Sequence, residues 1–188
     1  MAIKKLSAAL GLVTLITLSG ADLPRKCPDL ALHLADGKNL SLSQFHGKVV
    51  ALAFISTTCP HCQNYTKVLS VIQKEYGPKG VQVLAAAFND GAQSLLPGFV
   101  AQFQPAFPVG WEDRVSALSF MQISILNQGY VPKIVFIDRN GVIQKQFEGQ
   151  DPFFQDPDKS TRAALDGMLK ASAPVAHRKA AVKTATKQ

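Results

Sequence analysis

Val49-Val50-Ala51-Leu52-Ala53-Phe54-Ile55-Ser56-Thr57-Thr58-Cys59-Pro60-His61-Cys62 carries an unbroken apolar run into a Cys-x-x-Cys. The run from Val49 to Ile55 fits a strand buried on both faces, in the middle of a sheet covered by helices. From Gln63 onward, Tyr65, Val68, Leu69, Ile72 and Tyr76 recur at helical spacing with Gln, Lys and Ser between them. The two cysteines therefore sit where a helix begins. A helix N-terminus offers unpaired N–H donors and a partial positive charge, which favours the thiolate of the first cysteine.

Working downstream, Gly77-Pro78 stops the helix, Val81 to Phe88 reads as a second apolar strand, and Asn89-Asp90-Gly91 closes it with a turn signal. Strand, crossover helix and strand make a βαβ unit, which implies parallel strands and a right-handed connection. The next helical pattern (Ala92, Leu95, Leu96, Phe99, Val100, Phe103) is interrupted by Pro97, which predicts a helix start or a kink there. Phe107-Pro108-Val109 reads as a short extended piece, and Arg114 to Met121 as a short helix. Gly129-Tyr130-Val131-Pro132 leads into the strand Lys133 to Ile137, which the turn Asp138-Arg139-Asn140-Gly141 pairs with Val142 to Phe147. A proline opening a strand asks for a reason. Asp151 to Asp158 reads as an irregular loop, and Ser160 or Thr161 as the cap of a last helix running to Ala171. Upstream, Leu30, Leu32 and Leu34 alternate with Ala31 and His33. With the Asp36-Gly37 turn and Leu40 and Leu42, they predict an N-terminal β-hairpin after a loose start at Asp22 to Lys26. His33 and His46 read as surface or turn residues, since no cluster of ligands forms around either.

The N-terminus has the form of an export signal. Lys4 and Lys5 precede a mostly apolar stretch, Leu6 to Leu18, and small residues stand at Ser19 and Ala21. Cleavage after Ala21 is predicted. A membrane span wants roughly 18 or more apolar residues, and this stretch is shorter and holds Ser7, Thr14 and Thr17. The membrane is therefore reached only if the signal stays uncleaved. Ala21 stands where a lipoprotein signal needs cysteine. Export places the chain in an oxidising compartment, where a Cys-x-x-Cys rests as a disulfide more readily than in the cytosol.

The net charge of +7 is concentrated at the two ends. Residues 22 to 173 hold 14 basic and 13 acidic side chains, a net of +1. No basic stripe interleaved with aromatics is present, so nucleic-acid binding is excluded. From Ser172 onward Ala, Lys, Val and Thr follow one another with no apolar pattern, which reads as a basic, disordered tail.

The order of these parts resembles the thioredoxin superfamily, and within it the exported TlpA/ResA-like thiol-disulfide oxidoreductases. The hairpin, Phe45-His46-Gly47-Lys48 before the first buried strand, Cys59-Pro60-His61-Cys62, an extra strand and helix, and Val131-Pro132 ahead of Ile134 to Gly141 carry the likeness. It implies an α/β thioredoxin-like fold over residues 22–171, with a central mixed β-sheet flanked by helices, preceded by a signal peptide at 1–21 and followed by the tail at 172–188. It also implies that Pro132 is cis and faces the sulfurs, and that the Val131 backbone pairs with an incoming substrate. Cys59 then exchanges with substrate, Cys62 resolves the mixed disulfide, and Pro60 and His61 modulate the pair. Expected partners are protein thiols or disulfides and a membrane-bound redox protein. The protein is expected to be a periplasmic or otherwise extracytoplasmic monomer, with no cofactor and no metal.

Direction of electron flow is contested within the sequence. Pro60-His61 and Val131 match DsbA-type oxidases, whereas the scaffold resembles reductases; the two types of couple lie about 150 mV apart, roughly 7 kcal/mol for two electrons. Thioredoxins carry a buried aspartate six positions before the first cysteine, where this chain has Ala53, and ResA-like reductases a glutamate three after the second, where this chain has Tyr65. Two other classes compete. A thiol peroxidase wants Thr and Pro upstream of its cysteine, and Ser56 and Leu52 stand there. A copper or zinc module is disfavoured by the single Cys-x-x-Cys. Cys27 is left over, and reads as a partly buried thiol, with an intermolecular disulfide or a regulatory pairing to Cys59 as the alternatives.

Overall fold

The computed structural model describes residues 22–126 and 129–171; the predicted signal peptide and basic tail lie outside them. Eight strands form one mixed sheet, β1 (Arg25–Lys26), β2 (Ala31–Leu34), β3 (Asn39–Ser41), β4 (Val49–Ile55), β5 (Val81–Ala87), β6 (Val109–Trp111), β7 (Lys133–Ile137) and β8 (Val142–Phe147), in the order β1-β8-β7-β4-β5-β6-β2-β3. The pairs β4–β5 and β5–β6 are parallel. The other neighbours are antiparallel.

Helix α1 (Pro60–Tyr76) crosses from β4 to β5, α2 (Ala92–Phe103) connects β5 to β6, α3 (Arg114–Phe120) precedes β7, and α4 (Pro157–Ala171) follows β8. Alternation along β4 divides the core in two. Val49, Ala51, Ala53 and Ile55 pack with residues of α1, α2 and α4, while Val50, Leu52 and Phe54 pack with Ala117, Leu118 and Phe120 of α3. The sheet is thus covered on both faces, which is why β4 is apolar at every position.

Four local expectations are corrected. Helix α2 begins at Ala92 and runs through Pro97. Pro97 and Gln93, four residues before it, both lie exposed, so the carbonyl that loses its partner can be hydrated. Helix α4 begins at Pro157, capped by Asp156, whose carboxylate accepts the Lys159 N–H at 3.1 Å. Thr161, a predicted cap, is instead buried inside the helix and bonded to Tyr65. The loose start is partly ordered, since Arg25–Lys26 adds an edge strand to β8. Finally, the loop before α4 contains a 3₁₀ turn, Pro152–Gln155, capped by Asp151. The turn seats Phe153 against Phe136, Phe147 and Phe154, with ring centroids 6.0, 4.4 and 5.1 Å apart.

Truncating that buried ring removes the wedge between β7, β8 and the last helix. Phe153→Ala is expected to lower unfolding stability by ~3–5 kcal/mol in urea titrations. A loss under ~1 kcal/mol would mean that the ring contributes little to this corner of the core.

Candidate active site

Because β4 and β7 are antiparallel, the C-terminal end of one lies beside the N-terminal start of the other. Their register pairs Phe54 with Lys133. The chain leaving β4 therefore turns into α1 directly opposite the chain entering β7. The Val131–Pro132 peptide at that entrance is cis, as is the remote Leu23–Pro24 peptide.

Cys59 is the N-cap of α1, and its carbonyl accepts the Gln63 N–H at 3.0 Å. Pro60 occupies the first helical position, where a missing N–H costs nothing. Cys59 is partly exposed, whereas Cys62 is wholly buried. Both are free thiols. The Cys59 Sγ lies 4.0 Å from the Val131 carbonyl oxygen, so the sulfur faces the cis-proline segment.

Burial pushes the Cys62 thiol far above its ordinary range. The Ser56 N–H, donated to Cys62 Sγ at 3.4 Å, opposes that rise, and nearby Cys59 reinforces it. No carboxylate contributes. Ala53 lies buried in β4 between Ala85 and Ile134. Tyr65 is buried one turn after Cys62, its hydroxyl 2.8 Å from Thr161 Oγ1. Thr161 spends its own hydrogen on the Pro157 carbonyl at 2.6 Å, so Tyr65 donates to Thr161. Burial raises the phenol as well, which keeps it protonated and unfit to replace the missing base.

The loop between β4 and α1 is fixed by a residue that the sequence reading treated only as part of a turn. Asn89 Oδ1 accepts the Thr57 N–H at 2.9 Å, and Asn89 Nδ2 donates to Thr57 Oγ1 at 3.2 Å. Gln63 Nε2 adds a bond to the Thr57 carbonyl at 3.0 Å. No local signal reveals this clamp, because it depends on β4 and β5 ending side by side.

His61 and Asn64 border a groove walled by Tyr65, Tyr130, Val131, Pro132 and Phe154. His61 itself is exposed. All six predicted site residues thus gather at one end of the sheet. Cys27 does not. It lines a pocket with Val50 and Gly141 at the other end of β4, which excludes a disulfide to Cys59 within this fold. Burial raises its thiol to about 11. His46 shares that pocket, and His33 stacks on Trp111 with ring centroids 4.5 Å apart. Among the described residues no group of three or more His, Cys, Asp or Glu side chains is placed to hold a metal ion.

A Cys-x-x-Cys at a strand-to-helix junction, facing a cis proline across a central mixed sheet, defines a thioredoxin-like redox protein. A family model described as Redoxin matches residues 24–165, and the chain belongs to that family, on its TlpA/ResA-like branch. Among curated relatives, the "Thiol-disulfide oxidoreductase ResA" of Bacillus anthracis is 25% identical over 150 residues, spanning 80% of this chain and 78% of that protein. The protein of the same name from Geobacillus thermodenitrificans is 28% identical over 123 residues, spanning 65% and 67%. Among solved structures, a putative thiol:disulfide interchange protein DsbE from Chlorobium tepidum superposes with a TM-score of 0.63 at 26% identity, over 77% of this chain and 98% of that one. A putative protein disulfide isomerase from Bacteroides thetaiotaomicron shares the fold at a TM-score of 0.61 and 21% identity, over 79% and 91%.

The buried Cys62 thiol gives the reduced protein a signature at alkaline pH. Below about pH 8.5 the thiol is protonated in both folded and unfolded chains. Above that value the unfolded chain releases the proton first and binds fewer protons than the folded one, so stability falls as pH rises. The slope is up to about 1.4 kcal/mol per pH unit from this group. Urea midpoints of the reduced protein at pH 7 and pH 10 should fall further in wild type than in Cys62→Ser. Equal falls would contradict the burial of this thiol.

Proposed function

We propose that this protein is an exported thiol-disulfide oxidoreductase, with Cys59 as the attacking sulfur and Cys62 as the resolving one. The observation that carries the reading is the unequal burial of two free thiols at one helix start, with the outer sulfur 4.0 Å from the Val131 carbonyl beside a cis proline. The names of the ResA and DsbE relatives support the same chemistry.

In the reducing direction, the Cys59 thiolate attacks one sulfur of a substrate disulfide. A Cys59–substrate disulfide forms, and the other substrate sulfur leaves as a thiolate. Cys62 loses its proton and attacks Cys59 Sγ; the second substrate thiolate departs and the Cys59–Cys62 disulfide remains. Two electrons have passed from the dithiol to the substrate, and the leaving sulfurs take up the protons. The reverse sequence oxidises a substrate dithiol.

Each group has one task in this cycle. Cys59 stands at the helix start, where no cap bond reaches its sulfur and the partial positive charge of the first turn favours the attacking anion. The Ser56 N–H steadies charge as it develops on Cys62. Val131 and Pro132 bind substrate, the Val131 backbone pairing with an extended segment while Pro132 offers no N–H in competition. Pro60 and His61 modulate the pair from the first turn of α1. With Ala53 and Tyr65 where carboxylates would stand, the proton of Cys62 passes to the departing thiolate or to water.

Export rests on residues 4 to 21, with cleavage after Ala21. N-terminal sequencing of mature protein from the extracytoplasmic fraction is expected to begin at Asp22; a chain there that still begins at Met1 would overturn the cleavage.

The exchange reading is tested by trapping. Cys62→Ser, incubated with a disulfide-bonded protein such as insulin, is expected to accumulate a mixed disulfide at Cys59, identified by non-reducing mass spectrometry, which dithiothreitol releases. Absence of any adduct, or an adduct confined to Cys27, would contradict it.

A further inference from the structure

Lys133 opens β7, directly after Pro132, and its side chain is fully buried. Among the described residues it is the one charged side chain so placed. Its Nζ donates to Glu148 Oε2 at 2.8 Å, across the β7–β8 pair. Lys133 is wholly buried while the Glu148 side chain is 40% exposed, so the lysine gives up its hydration for a partner that stays partly in water. A pair of this kind contributes little to stability, and its position asks for another explanation.

The backbone above the pair supplies one. Gly129 has a φ of +47°, and a Cβ built there would lie 2.5 Å from Lys133 Nζ and 3.0 Å from Glu148 Oε2. The chain therefore runs directly over the ion pair at Gly129. One residue on from Glu148, the Gly149 N–H donates to the Tyr130 carbonyl at 3.2 Å. A Cβ on Gly149 would come within 2.8 Å of the Tyr130 carbonyl carbon. Glu148 and Gly149 thus make a two-point seat beneath Gly129 and Tyr130. The next carbonyl along, that of Val131, is the one facing Cys59 Sγ.

We propose that the Lys133–Glu148 pair is a positioning device for protein substrates: it sets the height and tilt of the Gly129–Pro132 segment, and so of the Val131 backbone that receives an extended substrate. The proposal rests on the exchange function above. Lys133 touches neither sulfur, and it contributes nothing to the shift of the Cys62 thiol. Its effect is confined to how a chain is laid against Val131. A small disulfide, which reaches Cys59 without pairing to backbone, does not need the seat.

That difference is measurable. Lys133→Met keeps the length of the side chain and removes the charge. With dithiothreitol as reductant, its kcat/KM for insulin is expected to fall about tenfold, the scale of a slight misplacement of a reacting segment. Its rate with 2-hydroxyethyl disulfide should stay within about twofold of wild type, and the Cys59/Cys62 reduction potential should not move. Gly149→Ala, which leaves the ion pair alone and crowds Tyr130, should give the same split, and decides the matter if Lys133→Met does not fold. Equal losses on both disulfides, or unchanged insulin kinetics in the variants that fold, would overturn the proposal while leaving the exchange function intact. Wild-type protein inert toward both disulfides would overturn the exchange function and the proposal together.

Discussion

The antiparallel register of β4 against β7 is the constraint on which the site depends. Phe54 opposite Lys133 brings two chain reversals together, one carrying Cys59 and the other carrying Pro132. Neither reversal is reactive alone. A thiol on a helix start lacks anything to orient a partner, and a cis proline lacks a nucleophile. Both strands are apolar on both faces, so the register is held by how each side chain fits its half of the close-packed core. The two-sided core that fixes the register therefore also fixes the distance between sulfur and carbonyl.

Burial then divides labour between the sulfurs. Cys59 caps the helix at the surface, while Cys62 lies one turn inside, under Tyr65 and beside the Ser56 N–H. In the proposed exchange, the desolvation that raises the inner thiol holds it back until an outer disulfide has formed. Ala53 and Tyr65 leave this inner thiol without a carboxylate partner, so in the proposed cycle its proton passes to the departing thiolate or to water. The Thr57–Asn89 clamp holds the intervening loop against the end of β5.

Much of this was legible in the chain. The strand Val49–Ile55 was marked by its unbroken apolar run, β7 and β8 by the turn Asp138–Gly141, and the Cys-x-x-Cys by its place after a buried strand. Pro132 stood out as a proline at a strand entrance, while its cis bond and its place beside the sulfurs were expected only from the family resemblance. What stayed hidden is what depends on packing. Pro97 reads as a helix start or a kink, yet α2 begins at Ala92 and carries Pro97 on a hydrated face where its cost is low. Thr161 reads as a cap, yet it is an interior hydroxyl that satisfies Tyr65. Asn89 reads as a turn residue, and Lys133 as the polar end of a strand. Asn89 finds its partner 32 residues away at the end of β4, and Lys133 finds its own across the β7–β8 turn at Glu148; neither pairing shows in the residue pattern around it.

In the proposed exchange the reactive unit is Cys59 with Cys62, and Cys27, at the other end of β4, stands outside it. Equilibrating wild-type protein in glutathione buffers of graded potential, quenching in acid, and mapping disulfides by peptide mass spectrometry tests this most directly. One reversible two-electron transition is expected, linking Cys59 to Cys62 while Cys27 remains a thiol throughout. A transition that consumes Cys27, or the absence of a Cys59–Cys62 disulfide at every potential, would contradict it.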